Sequence, residues 1–395
     1  MTQPDFDQII DRVGTRCSKW DDMQAHYGVG PDDGISMWVA DMDFRPPAIV
    51  QQAVEAQAAH GVYGYPGRNQ PYLDAIIWWM ANRHGWQVQP DWVLTAAGLV
   101  NGTALAVDAF TQPGDRVILM TPVYHAFARV IRANGREVTE FPLRLDDDGL
   151  YRMDWAAWSG LLTGREKMLI LCSPHNPGGR VWTPEELREV ADFCKAHDLI
   201  LVSDEIHHDL IMPGAPRHSV MAMVAPDIQD RLITLTAATK TFNIAGAHIG
   251  NAIIADPELR KTYQGRQAAL GLSPGLFGQD MVAAAYSPEG AAWVDQLVTY
   301  LDGNRQLFDQ GVNAIPGLRS MPLQATYLAW VDFSGTGMAR DEFTARVQDQ
   351  ARIAANHGTT FGTGGEDFLR FNLATPRARV AEAVQRLEQA FSDLQ

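Results

Sequence analysis

Cysteine is scarce: the 395 residues include three, Cys17, Cys172 and Cys194. An odd number without paired spacing argues against both a disulfide framework and a thiolate metal site. Basic charge is also in deficit. Lys and Arg number 32 against 47 Asp and Glu, a formal net charge of −15. With no basic face in sight, nucleic acid is not an expected partner. No run approaches the ~18 consecutive apolar residues of a membrane span, so no membrane partner is expected. The start, MTQPDFDQIIDRV, carries acidic residues where a secretory signal carries positive charge ahead of an apolar run. There is no internal repeat, low-complexity tract or Gly/Ser linker, which predicts closely packed domains. What the chain does have is 46% hydrophobic residues, enough to bury a core without metal or disulfide. A cytoplasmic globular enzyme is the expectation.

Short apolar runs recur at Val93–Thr95, Val117–Met120, Met168–Cys172, Leu199–Ser203, Leu232–Leu235 and Ala252–Ala255. Most are continuously apolar, as strands covered by helices on both faces are. Between the third and fourth lies TPEELREVADFCKAHD, where Thr183 can cap, Pro184 takes the first helical position and Glu186 completes a capping box. Alternating strand, helix and strand predict an α/β class with a largely parallel sheet. The last hundred residues read as a smaller α+β domain: a strand at Tyr327–Phe333, a helix at Arg340–Asn356, a strand at Phe368–Leu373 and an amphipathic helix at Arg377–Leu394. The boundary is expected near Ser287–Pro288, ahead of a long helix from Ala291 to Asn313.

Ligands of open α/β sheets bind beyond the carboxyl ends of the strands, and the residues just after each run here are chemically rich. Gly98-Leu99-Val100 opens a helix whose free N–H groups suit a phosphate. Tyr124 comes after the second run, Asn176 after the third, Asp204 after the fourth and Lys240 after the fifth. Gly98 can be a mere turn, Asp204 a cap, Asn176 a turn residue and a lone lysine a surface charge. Lys240 takes the sharper reading because its neighbours are small hydroxyl and apolar residues. A lysine there loses solvation, its pKa falls and its amine becomes a nucleophile. His207-His208 beside Asp209 hints at a metal, yet no third ligand stands at useful spacing, so none is expected. Gly362-Thr363-Gly364-Gly365 reads as a flexible loop before Arg370, because no helix comes after it.

The segments SPHNPGGRVW (173–182), SDEIHHDL (203–210), AATKTFNIAG (237–246) and RFNLATPR (370–377) resemble, in order and spacing, the pyridoxal-phosphate enzymes of the class I/II aminotransferase superfamily. His207, three residues after the aspartate, with VADMDF (39–44), YGYP (63–66) and TYLAWVDF (326–333), resembles more specifically its cystathionine β-lyase, or carbon–sulfur lyase, branch.

The resemblance implies a type I fold with a seven-stranded, mostly parallel sheet in a large cofactor domain at 45–287. Residues 1–44 and 288–395 would form a small domain with the N-terminal segment. It implies pyridoxal 5'-phosphate as cofactor, with Lys240 linked to it through its amine and then acting as base. Asp204 would pair with the ring nitrogen and Asn176 would donate to the ring 3-oxygen. Tyr124, in the catalytic set, would stack on the ring, and Gly98, Leu99 and Val100 would cradle the phosphate. Thr236 and Thr239 are the implied hydroxyl donors, since Ala237 stands where serine is common. His207 joins the cofactor contacts where relatives often have tyrosine, and His248 replaces a common arginine, leaving the phosphate charge less compensated. Arg370 would grip the substrate α-carboxylate, with Asn176 beside it. Tyr65 would complete the site of a second subunit, so a homodimer with shared sites and a small amino-acid substrate are implied. The activity implied is β-elimination from cystathionine or a cysteine conjugate to thiol, pyruvate and ammonia. The alternatives are an aminotransferase and a cofactor-binding regulator without turnover.

Overall fold

The computed structural model describes residues 4–394; residues 1–3 and 395, assigned above to the small domain and its N-terminal segment, lie outside the described residues. Seven strands form the main sheet: β1 (Val93–Ala96), β2 (Arg116–Thr121), β3 (Glu137–Pro142), β4 (Glu166–Cys172), β5 (Ile200–Asp204), β6 (Leu232–Thr236) and β7 (Gly250–Ile253). Their spatial order is β1-β7-β6-β5-β4-β2-β3. β7 runs against both neighbours and all other pairs are parallel. The chain therefore leaves β1, β2, β4, β5 and β6 at one edge. Both faces are covered, as continuous apolar runs require. Val117 and Leu119 of β2 pack with Leu105 and Val107 on one side, and Ile118 and Met120 face the opposite core.

β3 escapes the search for apolar runs because its sequence, EVTEFP, sets two glutamates and a threonine among its apolar residues at the sheet margin. β7 begins two residues before the apolar run expected at Ala252. It can start at Gly250 because any Cβ there would come within 2.5 Å of Leu99 Cδ2.

The helices obey local signals. α1 (Gln70–His84) starts where Asn69 accepts from Tyr72 N at 3.1 Å with Pro71 in the first turn, and stops at Gly85 with φ 70°. α2 (Leu99–Phe110) and α3 (His125–Ala133) come after β1 and β2. α4 (Pro184–Ala196) carries the full Thr183–Glu186 capping box. α5 (Pro288–Ala314) begins three residues earlier than expected, because Ser287 accepts from Gly290 N at 3.1 Å and Pro288 fills the first position.

A second sheet contains β8 (Arg319–Ser320), β9 (Leu328–Asp332), β10 (Asn356–His357) and β11 (Phe368–Asn372), ordered β8-β9-β11-β10 and backed by α6 (Arg377–Ala390). The helix expected over Arg340–Asn356 is corrected here. It is α-helical to Ala345, widens to a π turn over Arg346–Gln350 and ends. Arg352, at φ 55°, turns the chain so that Ile353–Ala354 pairs in parallel with Ile35–Ser36. Apolar residues that look like a helical stripe are thus claimed by a strand more than 300 positions away.

The N-terminal segment is anchored by charge. Asp43 is buried and takes Lys19 Nζ, Trp20 Nε1 and Arg12 Nη1 at 2.9–3.0 Å. Burial alone would raise this carboxyl; Lys19, the Trp20 indole and Arg12 outweigh it and hold the pKa down to about 2. Asp43→Ala strands the buried Lys19 charge, so a loss of about 3–5 kcal/mol is expected in denaturant unfolding. A loss below about 1 kcal/mol would remove the anchoring role. Because the folded pKa is depressed, the stabilisation is present above the unfolded value of 3.8 and fades as pH falls toward about 2.

Candidate active site

The shared edge of β1, β2, β4, β5 and β6 delivers the expected side chains to one cleft. Beyond β1, Gly98 adopts φ 85°, ψ 159°, and no side chain caps α2 behind it. The first N–H groups, at Leu99 and Val100, are left for an acceptor from outside the helix. The backbone of His248 lies 4.0 Å from where a Gly98 Cβ would stand, and its own side chain is exposed. Thr236, at the end of β6, is buried with no partner for its hydroxyl, and Thr239 is nearly buried in the single turn Ala238–Thr241 that carries Lys240. A helix start, an unpartnered hydroxyl and a left-handed glycine together fit a phosphate group.

Lys240 is half-buried, and its Nζ donates to the Ala40 carbonyl at 2.6 Å. Tyr327 Oη donates to the same oxygen at 2.9 Å. Burial lowers the Lys240 pKa to about 8; Asp41 and Asp204 oppose that drop and Arg370 adds to it. Asp204, at the end of β5, is buried and accepts one hydrogen bond, from Ile206 N at 3.1 Å. Burial first, with the neighbouring Glu205 charge, pushes its pKa up to about 7, against the pull of Lys240. A buried carboxylate this poorly compensated calls for a cationic partner, which a protonated ring nitrogen provides. His207 is buried and kept neutral, because burial and the nearby Lys240 and Arg370 charges hold its pKa well below the usual value, and its Nδ1 has no partner.

Arg370, on β11, crosses from the second sheet into the same cleft. Its Nη1 donates to Asn176 Oδ1 at 3.0 Å, and its Nη2 donates to Trp38 O at 2.8 Å and to Asn356 Oδ1. Phe361 lies under the guanidinium at 5.0 Å. Its Nε is buried without a partner, a donor still free for a carboxylate oxygen. Because Asn176 Oδ1 is engaged, the Asn176 amide nitrogen is the group left to donate. Tyr124 is half-buried ahead of α3, and burial raises its phenol pKa, so it stays protonated.

The Gly362–Gly365 segment expected to be flexible is tied down. Thr363 donates through N and Oγ1 to Glu140 Oε2 at 3.2 and 2.6 Å, and Val123 N donates to Phe361 O at 2.8 Å. Glu140 belongs to the unforeseen strand β3, so its role was invisible in sequence. Also missed are the Ala40 and Trp38 carbonyls, which leave no sequence signal, and Asn356, which lay in the stretch read as helix. Tyr327 could have been found, since it stands in the TYLAWVDF motif. Tyr65 is not brought to the cleft: it is fully exposed in the single chain.

The geometry has parallels in known proteins. The family model for aminotransferase class I and II matches residues 34–387. Cystathionine beta-lyase PatB of Bacillus subtilis (strain 168) is 37% identical over 391 residues, covering 98% of this chain and 100% of PatB. Protein MalY of Escherichia coli (strain K12) is 32% identical over 393 residues, 98% of each chain. The crystal structure of cystalysin from Treponema denticola, which contains a pyridoxal 5'-phosphate cofactor, superposes with a TM-score of 0.94 at 35% identity over 100% of both chains.

Proposed function

Because the chain belongs to the aminotransferase class I and II family, and within it to the cystathionine β-lyase branch, we propose that it is a pyridoxal 5'-phosphate-dependent carbon–sulfur β-lyase. It cleaves cystathionine or cysteine conjugates to a thiol, pyruvate and ammonia. The observation that carries this reading is the meeting of Lys240, Asp204 and Arg370: Arg370 Nη1 donates to Asn176 Oδ1 at 3.0 Å, Lys240 Nζ donates to the Ala40 carbonyl at 2.6 Å, and the charges of Asp204 and Arg370 both reach Lys240.

Pyridoxal phosphate, when bound, supplies the electron sink that allows the Cα–H and then the Cβ–S bond to break. The N–H groups of Leu99 and Val100 and the hydroxyls of Thr236 and Thr239 bind its phosphate. Asp204 would hold the proton on the ring nitrogen, and Asn176 would donate to the 3-oxygen. Tyr124 would stack on the ring and His207 would line it as a neutral imidazole. Arg370 binds the substrate α-carboxylate and, through Asn176, keeps carboxylate and ring in register. Lys240 Nζ takes the Cα proton; a pKa near 8 gives it free amine close to neutrality.

We further propose a large domain at 45–287 and a small domain built from 1–44 and 288–395; the two separate sheets support this division. A cytoplasmic homodimer is proposed on two supports. All three cysteines are free, and the exposed large hydrophobic residues include Val62, Tyr63, Tyr65 and Phe277, with the Tyr63 and Phe277 rings 5.8 Å apart, an apolar surface suited to a second copy. Among the described residues no helix is long and apolar enough to cross a membrane.

The test is to supply cystathionine without any 2-oxo acid. Sustained release of pyruvate and thiol, beyond one equivalent per chain, is expected. Stoichiometric conversion of the cofactor to its amine form, with turnover resuming only on addition of a 2-oxo acid, would instead make the chain an aminotransferase.

A further inference from the structure

Five titratable side chains that the lyase chemistry does not use gather beside the segment that carries Asp204. His84 ends α1, Glu205, His208 and Asp209 come after β5, and His218 comes from the loop beyond. His218 Nε2 lies 2.9 Å from Glu205 Oε2, and His84 Nε2 lies 2.9 Å from Asp209 Oδ1. His208 stands between them, its ring stacked on His84 at 4.2 Å and 6.0 Å from that of His218. It is buried, yet neither ring nitrogen has a hydrogen-bond partner. Its Nε2 is 3.3 Å from Asp209 Oδ2 without the alignment of a hydrogen bond. Two buried nitrogens left unmet are an unsatisfied demand that a ligand can fill.

We propose that Glu205, His208 and His218 form a binding site for a divalent transition-metal cation of the zinc class. Donor atoms of the three lie within 4.8 Å of one another, so a modest adjustment, closing on His208 and slightly opening the 2.9 Å His218–Glu205 contact, brings them to tetrahedral spacing. Two imidazoles and one carboxylate are a zinc donor set. A second triad, His84, His208 and Asp209, meets the same distance limit and shares His208. Its carboxylate is already committed: Asp209 accepts from Trp79 Nε1 at 3.0 Å, from His84 and from Thr241 Oγ1 at 2.9 Å. Glu205 has its Oε1 fixed by Ser203 Oγ and Met221 N, each at 3.0 Å, and keeps Oε2 toward His218. An oriented carboxylate with one oxygen to spare is what a metal ligand needs.

The ion has a way in, because a cavity of about 760 Å³ is lined by His84, His208, Asp209 and His218. It also answers the charge balance. Glu205 and Asp209 are both buried, and a dication offsets their charge. Once bound, the ion ties the Asp204–Asp209 segment to the His218 loop and so braces the carboxylate assigned to the ring nitrogen.

The experiment titrates zinc into the purified, cofactor-loaded, chelator-stripped protein against a chromophoric chelator, with cobalt(II) as a second probe. One zinc per chain is expected, with a visible cobalt band of tetrahedral nitrogen–oxygen coordination. His208→Gln and His218→Gln should each weaken zinc by at least about tenfold and abolish the cobalt band. His197→Gln, an exposed histidine elsewhere, should change neither, and the cofactor absorbance reports that each variant is folded. Absence of saturable zinc binding in the unmodified protein, or binding unchanged in either folded His208 or His218 variant, overturns the proposal.

Discussion

A Lys240→Ala chain is expected to fold normally and to lose about ten-thousandfold or more of its turnover, since nucleophile and base disappear together. The size of the effect stems from the environment of one atom. Nζ is held by the Ala40 carbonyl at 2.6 Å, and burial brings its pKa to about 8. At neutral pH roughly one molecule in ten then carries the free amine, several hundredfold more than an unshifted lysine would offer. Borohydride reduction of the cofactor-loaded protein should place the label on the peptide containing Lys240, and cofactor attachment to stripped protein should accelerate as pH rises through about 8. A label on another lysine would overturn the assignment. The same variant tests the shared site. Mixed with an inactive Tyr65→Phe chain, it should recover one working site per heterodimer. Verified heterodimers with folded but inactive parents and no recovery would confine each site to one chain.

Asp204→Ala is expected to lower turnover by about a thousandfold, and Asn176→Ala by about 10–100-fold. Asp204 is buried with a single backbone donor, so its charge has little to balance it until a cation arrives. In the proposed assignment, removing it takes away the ion pair that would control the electronics of the ring. Asn176 contributes one neutral donor, held by Arg370 Nη1 at 3.0 Å, and its loss mainly disturbs position. Equal, small losses in the two variants would defeat this ranking. Stability should move the other way. A folded pKa raised to about 7 means that the protonated form is favoured by folding, so whatever stability Asp204 contributes is present below the unfolded value of 3.8 and is lost as pH rises through 7. Cofactor-free Asp204→Asn should therefore be at least as stable as the parent above pH 7 by chemical denaturation.

Local chemistry was readable wherever it was contiguous. Thr183-Pro184 with Glu186 announces α4, the apolar runs announce six of the seven main-sheet strands with end differences of at most two residues, and the turn residues after them name Gly98, Asn176, Asp204 and Lys240 before any fold is known. A parallel sheet turns that set into a site, because strands that run the same way present their carboxyl ends to the same edge.

What the sequence by itself determined is therefore the α/β class, the caps, and the residue types proposed to meet substrate and cofactor. Only the tertiary structure decided the rest. Asn356 reaches Arg370 because Arg352 breaks a helical stripe and Ile353–Ala354 pairs with Ile35–Ser36. Glu140 holds the Thr363 loop from a strand whose two glutamates hid it, and His84 joins His208 from 124 positions away. The physical reason is common to all of these. Pairing, burial and electrostatic contact act between atoms close in space, whereas periodicity and spacing report only neighbours along the chain.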